Sequence, residues 1–252
     1  MIRAFSITDI GKKRQLNQDF VFTSELPLGN LPNLFVVADG MGGHKAGDYA
    51  SKCTVETIIE EVGKSKESEP VKILSDAIQS ANTLIRRKAT EDKNMMGMGT
   101  TVVASTLIGN NLIVANVGDS RLYISGDELT QITRDHSLVE EMVRLGGIDR
   151  MSARNHPDKN IITRAIGATN TVNIDFFEVS VRSGDTVLMC SDGLTNMLED
   201  EEIQTILSSK DSLQMKAVKL VNEANEHCGK DNIAVLLVEF LFEENQQNGE
   251  VK

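Results

Sequence analysis

One stretch decides the fold of this chain: Leu34-Phe-Val-Val-Ala-Asp39-Gly40-Met41-Gly42-Gly43-His44-Lys45-Ala46-Gly47. It begins with five apolar residues in a row, which predicts a strand over 34–38 that is buried on both faces. An acidic residue and a glycine-rich turn follow, and an amphipathic helical pattern begins at Ala46. An Asp-Gly hairpin would instead continue into a second strand. The stretch therefore predicts a helix-covered sheet with a carboxylate at the end of a buried strand.

The same arrangement recurs at three other apolar runs of the chain. Each run has an aspartate at one end: Asp119, Asp192 and Asp231. A carboxylate at such a position is partly desolvated, which is unfavourable unless it is paired or binds a metal ion. Turn chemistry accounts for any one of these aspartates as well. If the three meet Asp39 at one end of the sheets, their oxygen atoms form a site that selects Mg²⁺ or Mn²⁺ over zinc.

The remaining pattern predicts the order of helices and strands. Apolar residues three and four apart predict helices over 46–62, 71–91, 201–207 and 213–226. A short helix is predicted to start at Ser137, because Ser137 and Glu140 have the spacing of a capping box. Runs rich in Val, Ile, Leu and Thr predict strands over 3–8, 19–23, 34–38, 100–108, 112–117, 121–125, 174–181, 186–190 and 233–240. Short turns between strands indicate antiparallel pairing, and helices that come in pairs disfavour a doubly wound parallel sheet. The fold class is therefore α+β, with antiparallel sheets covered by helical layers.

Composition limits the classes of function. The chain has 252 residues, with 26 basic and 37 acidic side chains and a formal net charge of -11. We expect no nucleic-acid partner, because phosphate backbones bind basic surfaces and this chain is acidic. For the same reason we expect no binding to anionic membrane surfaces. The chain shows no secretory signal pattern and no apolar run of about 18 residues, so no membrane insertion is expected. Its three dispersed cysteines fit a reducing compartment, and the expected location is the cytoplasm.

A basic residue near the predicted carboxylates suggests phosphate chemistry. Arg14 ends the run Lys12-Lys13-Arg14, which is a solvated face in most proteins. The planar guanidinium of an arginine can also bind two phosphate oxygens. Carboxylates, divalent cations and one arginine are the parts of a two-metal phosphohydrolase. The chain lacks a P-loop and a G-x-S-x-G elbow, and a cysteine-phosphatase loop would need Arg where Ala234 stands.

Eight motifs together are similar to those of the metal-dependent Ser/Thr protein phosphatases of type 2C, the PPM family, in their short bacterial form. They are TDIGKKRQLNQD (8–19), VADGMGGHKAG (37–47), GMGTT (97–101), NVGDSR (116–121), TRDHS (133–137), NIITRAIG (160–167), CSDGLTN (190–196) and GKDN (229–232). The resemblance spans about residues 8 to 240. It implies a four-layer α-β-β-α sandwich, in which two antiparallel sheets pack face to face and a helix pair flanks each sheet.

The resemblance also implies a set of metal ligands. Asp39, together with the carbonyl oxygen of Gly40, corresponds to the position that bridges two Mn²⁺ or Mg²⁺ ions. Asp192 and Asp231 complete the shell of the first ion, and Asp19 acts in the second shell or through water. In the family, a hydroxide that bridges the two ions attacks phosphorus in line, without a phosphoenzyme.

Further positions carry weaker implications. Asp119, with Asp192, corresponds to a third metal site of bacterial relatives, and Arg14 corresponds to the arginine that binds the substrate phosphate. Gln18 stands where many relatives have Glu, so it would contact the second ion through water without adding charge. Animal relatives have a histidine directly after the Asp-Gly pair, where this chain has methionine, and His44 is the candidate general acid here.

The resemblance further predicts a single phosphatase domain over 1–242, a flap subdomain over 136–160 that shapes substrate access, and a disordered tail over 243–252. His136, His156, Arg121 and Arg164 are expected to be structural. The predicted partners are phosphoprotein substrates, including a cognate membrane Ser/Thr kinase, and the predicted state is a monomer. Two alternatives stay open: a pseudophosphatase that senses phosphorylated proteins, which Gln18 supports, and a two-metal hydrolase of nucleotides or small phosphates.

Overall fold

The computed structural model describes residues 1–43 and 46–241. Within these residues the strands are β1 (Ile2–Asp9), β2 (Asp19–Ser24), β3 (Leu34–Met41), β4 (Gly99–Thr100), β5 (Val102–Ile108), β6 (Asn111–Val117), β7 (Arg121–Ser125), β8 (Leu129–Gln131), β9 (Asp175–Ser180), β10 (Thr186–Cys190) and β11 (Ile233–Phe240). The helices are α1 (Ala46–Lys64), α2 (Pro70–Glu91), α3 (Leu138–Arg144), α4 (Arg150–Arg154), α5 (Asp192–Thr195), α6 (Asp200–Leu207) and α7 (Leu213–Glu226). None of these helices is long and apolar enough to cross a bilayer.

Two antiparallel sheets form the centre of the protein. The first has the strand order β1-β11-β10-β7-β8, and the second has the order β2-β3-β5-β6-β9, with β4 paired to β3. Strand β3 explains why its sequence does not alternate. Phe35 and Val37 face the core between the two sheets, whereas Leu34, Val36 and Ala38 face α1 and α2. Both faces are buried, so both sets of positions are apolar.

Three apolar cores separate four layers. One core lies between α1, α2 and the second sheet, one lies between the sheets, and one lies between the first sheet and helices α5 to α7. Strand β11 serves the last two cores, with Leu236 and Val238 on one face and Val235 and Leu237 on the other. The predicted α+β fold with an α-β-β-α sandwich is therefore confirmed.

The segment over 136–160 carries two short helices, α3 and α4. Ser137 is the N-cap of α3, and its hydroxyl accepts a hydrogen bond from the Glu140 amide at 3.2 Å, as the spacing of the two residues predicts. We call 136–160 the flap segment. Helix α4 and strand β8 have no clear signal in the sequence, because both are short and half exposed.

One predicted strand, 100–108, is interrupted in the structure. Strand β4 ends at Thr100 and β5 begins at Val102, although both pair with β3 in one continuous register. At Thr101, opposite Asp39, the Asp39 amide donates to the threonine hydroxyl at 3.0 Å. The Thr101 amide donates to the carbonyl oxygen of Asp39 at 2.9 Å. This pairing places a hydroxyl beside the end of β3. The tail predicted over 243–252 lies outside the described residues.

Candidate active site

The predicted aspartates lie at one end of the two sheets. Asp39 is near the end of β3, and Asp119 lies in the turn between β6 and β7. Asp192 follows β10 as the first residue of α5, and Asp231 precedes β11. Because β10 and β11 are antiparallel neighbours, the end of one lies beside the start of the other. The topology therefore brings together four aspartates that are as much as 192 residues apart, from 39 to 231.

Asp19 approaches the same place from strand β2. It lies directly opposite Asp39 in the β2–β3 register, and its side chain is buried. One of its oxygens, Oδ2, accepts a hydrogen bond from the Ser191 hydroxyl at 2.6 Å. Among the residues that the structure describes, the other oxygen, Oδ1, is buried without a hydrogen-bond partner. A buried carboxylate oxygen without a partner is unfavourable, so this atom marks a place where a further ligand would be stabilising.

Close backbone contact holds the segment after β10 against the segment before β11. A Cβ atom at Gly193 would lie only 1.8 Å from the carbonyl oxygen of Asn232. No side chain fits there, so glycine is required for α5 to begin against the Asp231–Asn232 segment. This contact fixes the separation of Asp192 and Asp231.

A cleft of about 230 Å³ contains the converging side chains. Its lining includes four aspartates, three other residues predicted from the sequence, and two residues on the flap side. They are Asp39, Asp119, Asp192 and Asp231, then Arg14, Gln18 and Gly40, and finally Asn160 and Ile162. Arg14 donates from Nη2 to Oδ2 of Asp231 at 2.6 Å, and its side chain is 47% exposed. The cleft is therefore acidic at its floor and has an accessible guanidinium at its edge.

Three carboxyl groups at the site, those of Asp19, Asp39 and Asp192, differ strongly in pKa from free aspartate. Burial, followed by the charges of Asp19, Asp192 and Asp119, raises the pKa of Asp39 well above its ordinary value. Burial and the charge of Asp231 raise the pKa of Asp192 to about 6. Burial is also the main reason that the pKa of Asp19 rises to about 7, against the opposing Ser191 hydrogen bond. Each aspartate is therefore held where its negative charge is poorly stabilised by the protein alone.

The chemistry of these donors fits a hard divalent cation. Carboxylate and carbonyl oxygens are the donors that Mg²⁺ and Mn²⁺ prefer, and the unpartnered Oδ1 of Asp19 adds one more. Within residues 1–43 and 46–241, no three His, Cys, Asp or Glu side chains already enclose a metal position. Asp231 instead forms its ion pair with Arg14. The residues thus fit the cation by type and place, and the Asp231–Arg14 pair must open or share its oxygen for Asp231 to take part.

Two further positions predicted from the sequence are Gln18 and His44. Gln18 lines the cleft, and its backbone amide donates a hydrogen bond to Oδ1 of Asn232 at 2.9 Å. Its carbonyl oxygen accepts from the Gly40 amide at 3.0 Å, so the predicted second-ion residue lies beside the predicted bridging one. His44 lies outside the described residues.

Asp119 faces a second cavity as well. This cavity, about 510 Å³, lies between the flap segment and helices α5 and α6, and both Asp119 and Asp192 line it. Burial and the charge of Asp192 raise the pKa of Asp119 well above its usual range. The two aspartates predicted to share a third cation are therefore neighbours in the structure.

The sequence reasoning missed three residues that hold the site. The Thr101 hydroxyl accepts from the Asp39 amide at 3.0 Å, and Ser191 bonds to Asp19. Asn232 donates to the carbonyl oxygens of Ile10 and Leu16, at 2.9 and 3.0 Å, and so fastens the loop that carries Arg14. All three lie inside the quoted motifs, but adjacency in a motif does not reveal which backbone groups a side chain reaches.

Comparison with known proteins agrees with this geometry. The family model described as protein phosphatase 2C matches residues 11–241. The chain is 44% identical over 239 residues to the serine/threonine phosphatase stp of Listeria welshimeri, covering 92% of this chain and 93% of that protein. It superposes on the serine/threonine phosphatase Stp1 of Staphylococcus aureus with a TM-score of 0.90, 33% identity and 96% coverage of each chain.

A further solved structure is the catalytic domain of the serine/threonine protein phosphatase PstP in complex with two manganese ions. It is 30% identical, with a TM-score of 0.85, and the alignment covers 96% of this chain and 99% of that one. The fold and the relatives agree, and so this chain belongs to the protein phosphatase 2C family and is a protein serine/threonine phosphatase.

Proposed function

We propose that this phosphatase hydrolyses phosphoserine and phosphothreonine on proteins with two Mn²⁺ or Mg²⁺ ions held by the aspartates of the cleft. The observation that carries the proposal is the convergence of Asp39, Asp192 and Asp231 on one cleft with Arg14 at its edge. The manganese-bound PstP structure supports divalent-cation dependence. The unsatisfied oxygen of Asp19 and the raised carboxyl pKa values support it independently.

Each side chain has a separate role in this proposal. Asp39 and the carbonyl oxygen of Gly40 would help to hold both cations, and Asp192 and Asp231 would complete the ligands of the first cation. Asp19 would act from behind Asp39 or through water, and Thr101 holds the Asp39 backbone in place. Asp119, with Asp192, would hold a third cation in the direction of the flap.

The chemistry that such cations supply when bound is a lowered pKa for the attacking water and stabilisation of charge on the phosphoryl oxygens. The protein itself supplies position. Arg14 is accessible and ends in two donors of fixed geometry, so it can turn from Asp231 toward a phosphoryl group and orient it for in-line attack. His44 remains our candidate for the proton donor to the leaving oxygen, and Gln18 our candidate for a water-mediated contact to the second cation.

We extend the proposal to the protein's surroundings. The resemblance to short bacterial phosphatases supports phosphoprotein substrates that include a cognate membrane-bound Ser/Thr kinase, with the phosphatase acting as a cytoplasmic monomer. The fold described up to residue 241 supports the predicted single catalytic domain over 1–242. Asn160 in the flap segment and the nearby Ile162 line the cleft, which supports the predicted role of the flap in substrate access.

Chelation and one variant pair test the proposal. The wild type should lose turnover of p-nitrophenyl phosphate and of a phosphothreonine peptide in excess EDTA, and regain it with Mn²⁺. Asp231→Asn should lower both rates at least about a hundredfold, since it removes a first-shell charge. The control Asp127→Asn, whose side chain is 95% exposed, should retain the wild-type rates.

Two results would count against the proposal. Full turnover in excess EDTA would exclude the cation-dependent reaction. A nucleotide hydrolysed with higher kcat/KM than the phosphopeptide would point to a small-phosphate hydrolase instead.

A further inference from the structure

A polar cluster lies at the base of the flap segment and consists of the buried His136 and the half-buried Arg164 and Asp175. The His136 ring is only 4% exposed. Its Nε2 lies 3.0 Å from Oδ2 of Asp175, and Arg164 donates from Nη1 to the other oxygen of the same carboxylate at 2.7 Å. The proposed hydrolysis uses none of these three residues, although the buried ring of His136 lies next to the turn that carries Asp119.

The hydrogen bonds of His136 determine its tautomer. The amide of Gly118 donates to Nδ1 at 3.0 Å, so Nδ1 must carry a lone pair. The ring proton is therefore on Nε2, where the carboxylate of Asp175 accepts it. Nη1 of Arg164 also lies 3.2 Å from Nε2, but in this tautomer both groups are donors, so Arg164 bonds to the Asp175 carboxylate instead. Burial lowers the pKa of His136, which favours this neutral ring. Asp175, His136 and the Gly118 amide form a directed chain of hydrogen bonds.

This chain of hydrogen bonds ends at Gly118, the residue that precedes Asp119. Gly118 has a φ of +110°, and a Cβ there would lie 2.5 Å from the Thr101 side chain, so the turn admits only glycine. The His136 amide also donates to the Gly118 carbonyl oxygen at 2.9 Å. One residue thus binds Gly118 through both its amide and its carbonyl group, and fixes the turn from which the Asp119 side chain projects.

The same histidine begins the flap segment. Its carbonyl oxygen accepts from the Thr163 amide at 2.7 Å, and the neighbouring Ser137 forms a bridge with Ile162. These contacts join the chain where it enters the flap to the chain where it returns. Ile162 lines the cleft together with Asp119. His136 therefore contacts both the aspartate-bearing turn and the flap base.

We propose that His136 is a positioning residue, which fixes the Asp119 turn through an Nδ1 hydrogen bond to Gly118 and so couples the placement of this carboxylate to the base of the flap. The inference rests on the proposed role of Asp119 as a cation ligand. It assigns to a flap-base histidine, expected from the sequence to be merely structural, a specific effect on cation affinity.

Two substitutions separate the two ends of the ring. In His136→Asn, Oδ1 is as many bonds from Cα as Nδ1 is in histidine, so the acceptor for Gly118 is retained. In His136→Gln, Nε2 occupies the corresponding far position, so the donor to Asp175 is retained and the acceptor is lost. His156→Gln is the matched control, because the ring of this second flap histidine accepts only from the nearby Asp158 amide at 3.1 Å.

Three readouts are compared: amide hydrogen exchange over 116–121 in EDTA, Mn²⁺ affinity by calorimetry, and the thermal midpoint. A buried donor without an acceptor should raise exchange in the Gln variant, and weaken the Asp119-dependent Mn²⁺ affinity, each about tenfold. The Asn variant should stay within about threefold of wild type on both. The His156→Gln control should match wild type throughout.

The outcomes separate the inference from the function on which it rests. If Asp119→Asn leaves Mn²⁺ binding unchanged, the proposed ligand role of Asp119 fails. If Asp119→Asn weakens binding but the Asn and Gln variants of His136 behave alike, the positioning role fails. Should the Gln variant not fold, NMR of isotope-labelled histidine in the wild type decides: a proton on Nδ1 overturns the inference, and a proton on Nε2 supports it.

Discussion

The two polar clusters beside the Gly118–Asp119 turn arrange their charges differently. On the cleft side, carboxylates lie near one another: Asp19, Asp119, Asp192 and Asp231 each raise the pKa of at least one neighbouring carboxyl group. On the flap side, the carboxylate of Asp175 is held by Arg164 and His136. Burial also acts to raise the pKa of Asp175, but its two hydrogen bonds outweigh that effect and lower it.

The difference shows which buried charges serve a ligand. A paired carboxylate is satisfied by the protein and needs nothing further, so its cluster stabilises the structure. A group of carboxylates that repel one another is unfavourable until a cation binds, which is the state expected of a metal site before loading.

The largest effect is expected from Asp39→Asn. It removes the proposed bridging carboxylate, so turnover of the phosphothreonine peptide should fall at least about a thousandfold. In EDTA at neutral pH the same change should also raise the free energy of unfolding, because burial makes ionisation of Asp39 unfavourable in the folded state and the asparagine has no such penalty. Peptide kinetics and urea unfolding measure the two effects. An active variant, or one destabilised in EDTA, would contradict the contrast.

Arg14→Ala should have a smaller effect on activity. It removes the accessible guanidinium, so kcat/KM for the phosphopeptide should fall about a hundredfold. Arg14→Lys should recover part of this loss, since it restores charge without the two-donor geometry. The adjacent, exposed Lys13→Ala is the control and should stay near wild type. Equal losses in Lys13→Ala and Arg14→Ala would show that only general surface charge matters.

Stability in EDTA should depend on pH with opposite signs for the two clusters. Asp19 and Asp192 have folded pKa values of about 7 and about 6, against 3.8 ordinarily. Between pH values of about 4 and 7 the folded state therefore binds protons that the unfolded state has released, and acidification stabilises it. His136 has a lowered folded pKa, so it contributes stability above about pH 6.5 that is lost on acidification.

The carboxyl groups outnumber the histidine, so the net effect should follow them. The metal-free wild type should be more stable at about pH 5 than at about pH 7.5, on the order of 2 kcal/mol by urea unfolding. Asp39→Asn should reduce this gain in stability at low pH, because it removes a carboxyl group with a raised pKa. His136→Asn should increase the gain, because it removes a group that loses stability on acidification. With saturating Mn²⁺ the sign should reverse, because bound ligands must be deprotonated. A gain of equal size in wild type and Asp39→Asn would assign the pH dependence to other groups.

The sequence predicted the strands that carry the site better than the contacts within it. Strands β3 and β11 were readable because both their faces are buried, which leaves uninterrupted apolar runs that end at Asp39 and begin after Asp231. Their meeting at one sheet end followed from antiparallel order and from the family resemblance. Neither source of information could indicate that the Thr101 hydroxyl would accept a hydrogen bond from the Asp39 amide.

Contacts between distant loops were not predictable for a physical reason. The Arg14–Asp231 pair joins residues 217 positions apart, and His136 reaches Gly118 and Asp175 across 18 and 39 positions. Such contacts depend on the conformation of loops in the packed structure. Loop conformation leaves no periodic pattern in the sequence, unlike the burial of a strand or a helix. Local signals, such as the Ser137 cap of α3, were predicted correctly because both partners lie within one turn.

An anomalous-scattering map from a crystal of this phosphatase soaked in Mn²⁺ tests the central claim most directly. The account predicts two strong peaks in the cleft, bridged by Asp39, with Asp192 and Asp231 bound to the first, and Arg14 no longer paired only with Asp231. It predicts a weaker third peak between Asp119 and Asp192. A map without a peak at Asp39, with the Arg14–Asp231 pair intact, would contradict the assignment of these aspartates as the metal centre.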